Sequence, residues 1–157
     1  MSASVRARAI ALGRAAVLAL VIIGLDQLTK HLVRTNIAVG DTRKFFIGVQ
    51  LVHVRNTGVA FSLFAGGGWL VLAITLGALA LLLAYLVRRP ERPWLWLPTG
   101  LVIGGAIGNL IDRIVHGAVT DFIKFPLWPA FNVADTAITL GVLALLWVLE
   151  GPSRQRA

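Results

Sequence analysis

Four long apolar stretches limit what this chain can fold into more than any other feature of its sequence. They cover roughly residues 14–34, 69–87, 95–114 and 131–149. Each is close to the ~20 residues that a helix needs to cross a bilayer. The whole sequence is 57% hydrophobic and 14% charged, whereas soluble domains have about 45–50% apolar and about 25% charged residues. The pattern predicts an all-α membrane protein with four transmembrane helices, forming a single integral membrane domain over residues 1–157.

The basic residues indicate how these spans are oriented. The N-terminal segment, the connection 88–94 and the C-terminal tail together hold eight arginines, whereas the connections at about 35–68 and 115–130 hold four Lys and Arg residues. Cytoplasmic loops are enriched in Lys and Arg, so both termini are expected in the cytoplasm. This topology accounts for the net charge of +8, and no nucleic-acid partner is expected.

The connection between the first two spans is too long for a simple turn. Phe45 to Val54 is rich in residues that favour strands, and Arg55-Asn56-Thr57-Gly58 is typical of a turn. We therefore predict a small extracytoplasmic β-element over about residues 40–66, which rests on the outer face of the membrane.

Polar and ionisable residues occur inside or beside the spans, where they are costly unless they have partners or a function. With the predicted orientation, Asp26 and Lys30 lie in the outer half of the first span, and Asp135 lies at the outer beginning of the fourth. These residues are expected to meet others at the outer membrane–water boundary, which indicates a functional site. The others are Asn109, Asp112 and Arg113 at the end of the third span, Asn132 before Asp135, and Asn56 and Asp121 in the outer loops.

Carboxylate chemistry is what the sequence leaves available for such a site. There are no cysteines, which excludes a thiol nucleophile, and the three histidines are isolated in sequence. We expect no metal ion and no other cofactor. Two close carboxylates can share a proton: the ionised one takes a proton from water, and the protonated one donates to a carbonyl oxygen.

Asp121 and Asp135 are the candidates for such a pair. The alternatives are a loop turn for Asp121 and, for Asp135, a charge that is favourable near a helix N-terminus. A carboxylate pair titrates jointly, so neither residue is assigned the proton from sequence.

Five segments resemble motifs of the lipoprotein signal peptidase (signal peptidase II) family of bacterial membrane aspartyl peptidases. One such motif would be weak evidence, but five in the same order, over nearly the whole chain, are specific. The segments are Asp26 to Lys30 (DQLTK), Asn56 to Phe61 (NTGVAF), Gly105 to Arg113 (GAIGNLIDR), Val119 to Phe122 (VTDF) and Phe131 to Asp135 (FNVAD).

The resemblance implies an aspartyl endopeptidase whose catalytic pair is Asp121 and Asp135. The implied substrate is a prolipoprotein that carries diacylglyceryl on its cysteine and is cleaved just before that cysteine, at the outer face of the bacterial cytoplasmic (inner) membrane. Membrane lipid is the other expected partner, and a monomer is expected. The resemblance also places substrate-binding or supporting residues around the site: Asn56, Asn109, Arg113, Asn132, Asp26 and Lys30.

Several of these residues have structural alternatives. Arg113 shares a helix face with Asn109, and it is expected to bind substrate carbonyls or to hold a catalytic carboxylate; the alternative is a cation that extends to the membrane interface. A structural salt bridge or cap is the better interpretation of Asp112. Asp26 and Lys30, four residues apart, are expected to pair, in either a structural or a functional role. Asn56 and Asn132 either hydrogen-bond the aspartate pair or substrate, or satisfy loop backbone.

Three glycines of the third span, Gly100, Gly104 and Gly108, recur every four residues. Such a stripe lets another helix approach closely. We expect packing within one chain, because four spans must pack against each other, rather than a dimer interface.

A small proton-coupled membrane transporter is the alternative function. In that hypothesis Asp26, Lys30 and Asp135 would relay protons. Transporters tend to place such groups near the bilayer midplane, whereas here they lie toward one face, which counts against the hypothesis.

Overall fold

Helices and a small antiparallel sheet make up the protein in a computed structural model, which describes residues 2–57, 68–90 and 92–150. In chain order, the elements are one long helix, a hairpin of two strands, two helices, a single strand and a last helix. Their bounds are α1 Ala3–Asn36, β1 Thr42–Phe46, β2 Val49–Asn56, α2 Gly68–Arg88, α3 Trp96–His116, β3 Val119–Lys124 and α4 Val133–Glu150.

Each predicted span lies largely within one of these helices, so their helical character is confirmed. Within the described ranges, two helical stretches are long and apolar enough to cross a membrane, Val5–Asn36 and Val133–Glu150. Leu76–Arg88 is a shorter apolar helix.

Helix α3 packs against α1 through its glycine stripe. A Cβ atom added to Gly100 would lie 2.8 Å from the carbonyl oxygen of Ala15, and one added to Gly104 would lie 2.9 Å from that of Ala19. The two backbones approach this closely because glycine has no side chain. The packing within one chain that we predicted for the stripe is therefore confirmed.

The sheet is larger than the predicted β-element. Strands β1 and β2 form an antiparallel hairpin, and Gly48 in its turn has a φ of 79°, a left-handed conformation that glycine adopts without steric cost. Strand β3, between α3 and α4, pairs antiparallel with β2 and completes the order β1-β2-β3. The prediction of an otherwise all-α fold, with its β-element confined to residues 40–66, was thus incomplete. Residues 58–66 lie outside the described part of the chain.

The turn predicted at Arg55-Asn56-Thr57-Gly58 is wrong in its first half. Arg55 and Asn56 lie in β2, where they pair with Thr120 and Val119 of β3. A partner strand that is distant in sequence therefore overrides the local turn preference. Gly58 lies outside the described residues.

Candidate active site

Asp121 lies on β3 and is oriented by its neighbour in the sequence. Phe122 is buried against Val33 of α1 and against Ile37, which directly follows that helix. Successive side chains of a strand point to opposite faces, so this packing fixes the direction in which Asp121 extends. Its side chain is only 2% exposed.

The sheet register brings Asn56 to Asp121. Val54 of β2 lies opposite Asp121, and Asn56, two residues further along, therefore shares the same face of the sheet as a diagonal neighbour. The amide Nδ2 of Asn56 donates a hydrogen bond to Oδ2 of Asp121 at 3.0 Å.

Asp135 is fixed at the start of α4 by a reciprocal cap. The side-chain Oδ1 of Asn132 accepts a hydrogen bond from the backbone N–H of Asp135 at 2.8 Å, and Oδ2 of Asp135 accepts one from the backbone N–H of Asn132 at 3.3 Å. This is the geometry of a capping box, in which two otherwise unpaired donors of a helix N-terminus are satisfied together.

Asn132 also joins the two candidate aspartates. Its Nδ2 atom donates to Oδ1 of Asp121 at 2.7 Å, while its Oδ1 is occupied by Asp135. The residue is fully buried. Because both ends of the amide are in use, its orientation is determined by the hydrogen bonds around it. Asp121, on the sheet, and Asp135, on α4, are therefore held against the same residue.

Asn109 of α3 contacts Asp135 from the other side. Its Nδ2 donates to Oδ1 of Asp135 at 2.8 Å, and its Oδ1 accepts from Nζ of Lys30 at 2.9 Å and from Nδ2 of Asn132 at 3.2 Å. A lysine ammonium can only donate. Lys30 therefore determines that the amide of Asn109 turns its NH₂ group toward Asp135.

A buried charge cluster lies beneath these side chains. Asp26, Lys30 and Asp112 are all fully buried. Lys30 Nζ lies 2.8 Å from Oδ2 of Asp26 and 3.3 Å from Oδ2 of Asp112. The pairing of Asp26 with Lys30, and the salt bridge expected for Asp112, are therefore both present.

The two aspartates of this cluster each hold the backbone beside one candidate catalytic residue. Asp26 Oδ1 accepts a hydrogen bond from the backbone N–H of Ala134 at 2.9 Å, directly before Asp135. Asp112 Oδ2 accepts one from the backbone N–H of Thr120 at 2.8 Å, directly before Asp121. Since Lys30 pairs with both carboxylates, it links the positions of the two candidate residues.

Burial alters the acidity of Asp121. Its pKa is raised from 3.8 to about 6, chiefly because removal from water penalises the charged form. The hydrogen bond from Asn56 lowers the pKa, and the negative charge of Asp135 raises it. A carboxyl group that exchanges a proton in this range suits general acid–base chemistry near neutral pH.

Arg113 is not brought to the carboxylates. Its guanidinium is exposed and donates to the backbone carbonyl of Asn109 on its own helix, at 3.3 Å. Among the residues that the structure describes, no ion pair joins it to an aspartate. Arg113 and Asn109 share a helix face, as expected, and the exposed guanidinium leaves substrate contact as its predicted role.

Two contributors to the site were not singled out from the sequence. Gln27 donates to the carbonyl of Gly108 at 3.0 Å and to Oδ2 of Asp26 at 3.1 Å. Arg34 lies 3.3 Å from Oδ1 of Asp112. The available signals were the position of Gln27 inside the DQLTK segment and the spacing of Arg34, four residues after Lys30.

Within the described ranges, no cluster of three or more His, Cys, Asp or Glu residues could hold a metal ion. The polar groups that the structure brings together at the site are the two aspartates and the amides around them.

Known proteins are similar to this chain in sequence and in structure. The profile of the family described as Signal peptidase (SPase) II matches residues 18–150. The chain belongs to the signal peptidase II family. Among its relatives, the lipoprotein signal peptidase of Moorella thermoacetica is 41% identical over 144 residues, which cover 88% of this chain and 94% of the relative. That of Symbiobacterium thermophilum is 45% identical over 134 residues, covering 80% and 87%.

A solved structure is also similar to this signal peptidase II. It is described as a bacterial membrane enzyme, with a TM-score of 0.80 and 28% sequence identity, over 90% of this chain and 95% of the other. The family resemblance stated from the motifs is confirmed. Membership makes the chain an aspartic peptidase that removes signal peptides from prolipoproteins, and the transporter alternative has no support.

Proposed function

We propose that Asp121 and Asp135 are the catalytic pair of this signal peptidase II, and that it cleaves diacylglyceryl-modified prolipoproteins just before the lipidated cysteine. The observation that carries the assignment is the contact of one residue, Asn132, with both carboxylates: its side-chain Nδ2 donates to Asp121, and its backbone N–H donates to Asp135. These are the two aspartates that the family motifs indicate, and they come from the sheet and from α4 to a common point.

The hydrogen bonds around Asp121 indicate which oxygen holds the shared proton. Asn132 must present its NH₂ group to Oδ1 of Asp121, because its own oxygen accepts from the backbone of Asp135. Oδ1 therefore remains an acceptor, and the proton resides on Oδ2. Asn56 can still donate to that oxygen when it is protonated, since a hydroxyl oxygen retains acceptor capacity.

The reaction then follows as general acid–base hydrolysis. Ionised Asp135 takes a proton from a water molecule, whose oxygen attacks the scissile carbonyl carbon, and protonated Asp121 donates its proton to the carbonyl oxygen. The tetrahedral intermediate collapses when the proton on Asp135 passes to the leaving nitrogen and the hydroxyl proton returns to Asp121. The C–N bond breaks, and the peptide acid and the amine of the lipidated cysteine are released.

The membrane arrangement is part of the same proposal. All four helices cross the bilayer, both termini are cytoplasmic, and the site lies at the outer face, where the lipid-anchored bond of the substrate is found. The signal peptidase would work as a monomer, with Asn56, Asn109, Asn132, Asp26 and Lys30 supporting the pair.

Exposed apolar side chains at one end of the sheet support this placement. The register pairs Phe46 with Val49, and Gln50 with Lys124, so the β1–β2 turn and the residues after β3 lie at the same end. Large apolar side chains in both segments face outward, and they suit the surface of a membrane. They are Phe45, Phe46, Ile47, Leu127 and Trp128.

The substrate part of the proposal is tested with two matched precursors, identical except for diacylglyceryl on the cysteine. The purified protein should cleave the lipidated precursor, and mass spectrometry should find a product that begins with the modified cysteine. Equal cleavage of both precursors would contradict the proposed substrate.

The orientation is tested by labelling, which is direct because the chain has no cysteine. Thr42→Cys in β1 should react with a membrane-impermeant maleimide added to spheroplasts, and Ser2→Cys should react only after lysis. The reverse pattern would overturn the orientation.

A further inference from the structure

A cavity of about 490 Å³ lies at the other end of the protein from the aspartate pair. It is formed by the first turns of α1 and by the connection between α2 and α3. Along α1, Arg14 at the cavity and Lys30 at the site are separated by about 24 Å, at about 1.5 Å per residue. The cavity is therefore not part of the peptidase site.

The cavity combines an apolar wall with two cations. Its lining includes Ile10, Trp94 and Trp96 together with Arg14 and Arg92, and none of the lining residues that the structure describes is acidic. In the described part of the chain, no ion pair joins either arginine to a carboxylate. An anion with an apolar portion is therefore the complementary ligand.

The two arginines have different functions. The guanidinium of Arg92 is already hydrogen-bonded, because its Nη2 donates to the carbonyls of Val148 and Leu149 at 2.8 Å each. These bonds hold the end of α4 against the cavity. Arg14 is exposed, with its guanidinium 5.9 Å from the centre of the Trp96 ring. Stacking on an aromatic ring leaves the N–H donors in the guanidinium plane available for an anion.

Trp94 is the most unusual residue of this region. It has a φ of 65°, in the left-handed region that a bulky side chain rarely adopts, and it is 56% exposed. Indole rings favour the membrane–water interface, where one side is apolar and the other is hydrated. Its position at the cavity therefore suits the headgroup region of a lipid layer.

We propose that this cavity binds an anionic phospholipid, with the phosphate on Arg14 and the glycerol and upper acyl chains against Ile10 and Trp94. The lipid would belong to the leaflet at the cytoplasmic ends of α1 and α2. The inference goes beyond the peptidase activity, and it depends only on the proposed membrane orientation.

Binding is measured on the full chain in a neutral maltoside detergent by native mass spectrometry. The probes are short-chain phosphatidylglycerol, which is anionic, and phosphatidylcholine of the same chain length, which is zwitterionic. The wild-type chain serves as the parent protein, and because no cleavage is measured, the outcome does not depend on whether the catalytic assignment is correct.

The matched variants are Arg14→Gln and Arg8→Gln. Both remove one positive charge from α1, but only Arg14 lines the cavity. The parent should bind phosphatidylglycerol selectively, Arg14→Gln should weaken that binding about tenfold or more, as expected for loss of a charge-assisted hydrogen bond, and Arg8→Gln should bind as the parent does.

Three results would overturn the proposal. The first is equal binding of the two lipids, and the second is equal weakening in the two variants, which would indicate a diffuse charge effect. The third is displacement of the lipid by inorganic phosphate at equal concentration, which would indicate a site for the free anion.

Discussion

Nζ of Lys30 lies 2.9 Å from Oδ1 of Asn109, and this contact fixes the direction in which the amide of Asn109 faces. The opposite end of that amide donates to Asp135. Lys30 thus orients a group that touches one proposed catalytic residue, although its own charge is balanced by Asp26 and Asp112. Support of the site and stability of the helix bundle therefore depend on the same side chain.

Lys30→Met is expected to destabilise the protein strongly. It would leave the carboxylate of Asp26 buried without its cation, a change that costs about 3–5 kcal/mol in comparable pairs, and it would leave Asp112 with Arg34 alone. Unfolding in detergent measures the effect. Lys44→Met, on exposed strand β1, is the control and should change stability by less than about 0.5 kcal/mol. Equal stability of the two variants would argue against a structural role for the cluster.

Substitution can separate the two functions of Asn132, which caps α4 and donates a hydrogen bond to Asp121. Asn132→Ala removes both the cap of α4 and the donor to Asp121, so stability should fall by about 1 kcal/mol and cleavage should be lost. Asn132→Ser keeps a capping hydroxyl but is too short to reach Asp121. It should restore the melting temperature without restoring cleavage. An active serine variant would show that the bond to Asp121 is dispensable.

Gly108 allows α1 and α3 to meet at the charge cluster. A Cβ atom at this position would lie 2.6 Å from Oδ2 of Asp26, so Gly108→Ala should displace the carboxylate and lower both thermal stability and cleavage. Gly77→Ala in α2 is the matched control, because nothing lies within 4 Å of its added Cβ. An unchanged Gly108→Ala protein would mean that the helices can separate there without consequence.

The pH dependence of cleavage should reflect the raised pKa of Asp121. Protonated Asp121 is the proposed acid, and its population falls as the pH rises through about 6, so kcat/KM should decrease above that pH. The hydrogen bond from Asn56 lowers this pKa; Asn56→Ala should therefore move the decrease to higher pH. A shift in the opposite direction, or no decrease below pH 8, would contradict the assignment of Asp121 as the acid.

The helices could be predicted from the sequence because each apolar stretch carries its own signal of length and composition. Strand β3 could not be. Residues 119–124 are short and follow a helix directly, and they become a strand because β2 offers them a ladder of backbone hydrogen bonds. The same pairing turned Arg55 and Asn56 from an expected turn into strand residues.

The residues of the site were easier to predict than their contacts. Motif order identified Asp121, Asp135 and the asparagines, since residue type and sequence position suffice for that. The shared contact with Asn132 and the link from Lys30 to both supporting aspartates depend on distances between four separate elements, which a linear pattern does not contain. Arg113 is an example of a contact that the sequence did not predict. Its helix face was predicted correctly, but among the described residues it has no carboxylate partner.

The central claim is tested most directly by cleavage of a lipidated prolipoprotein by the single variants Asp121→Asn and Asp135→Asn, with Asp41→Asn, on the exposed connection before β1, as the control. Both pair variants should lose at least about 10³-fold in rate, in the range expected for loss of general acid–base catalysis, while membrane insertion and the melting temperature show that each remains folded. The control should retain full activity. Cleavage at the wild-type rate by a folded Asp121→Asn or Asp135→Asn protein would contradict the assignment of the catalytic pair.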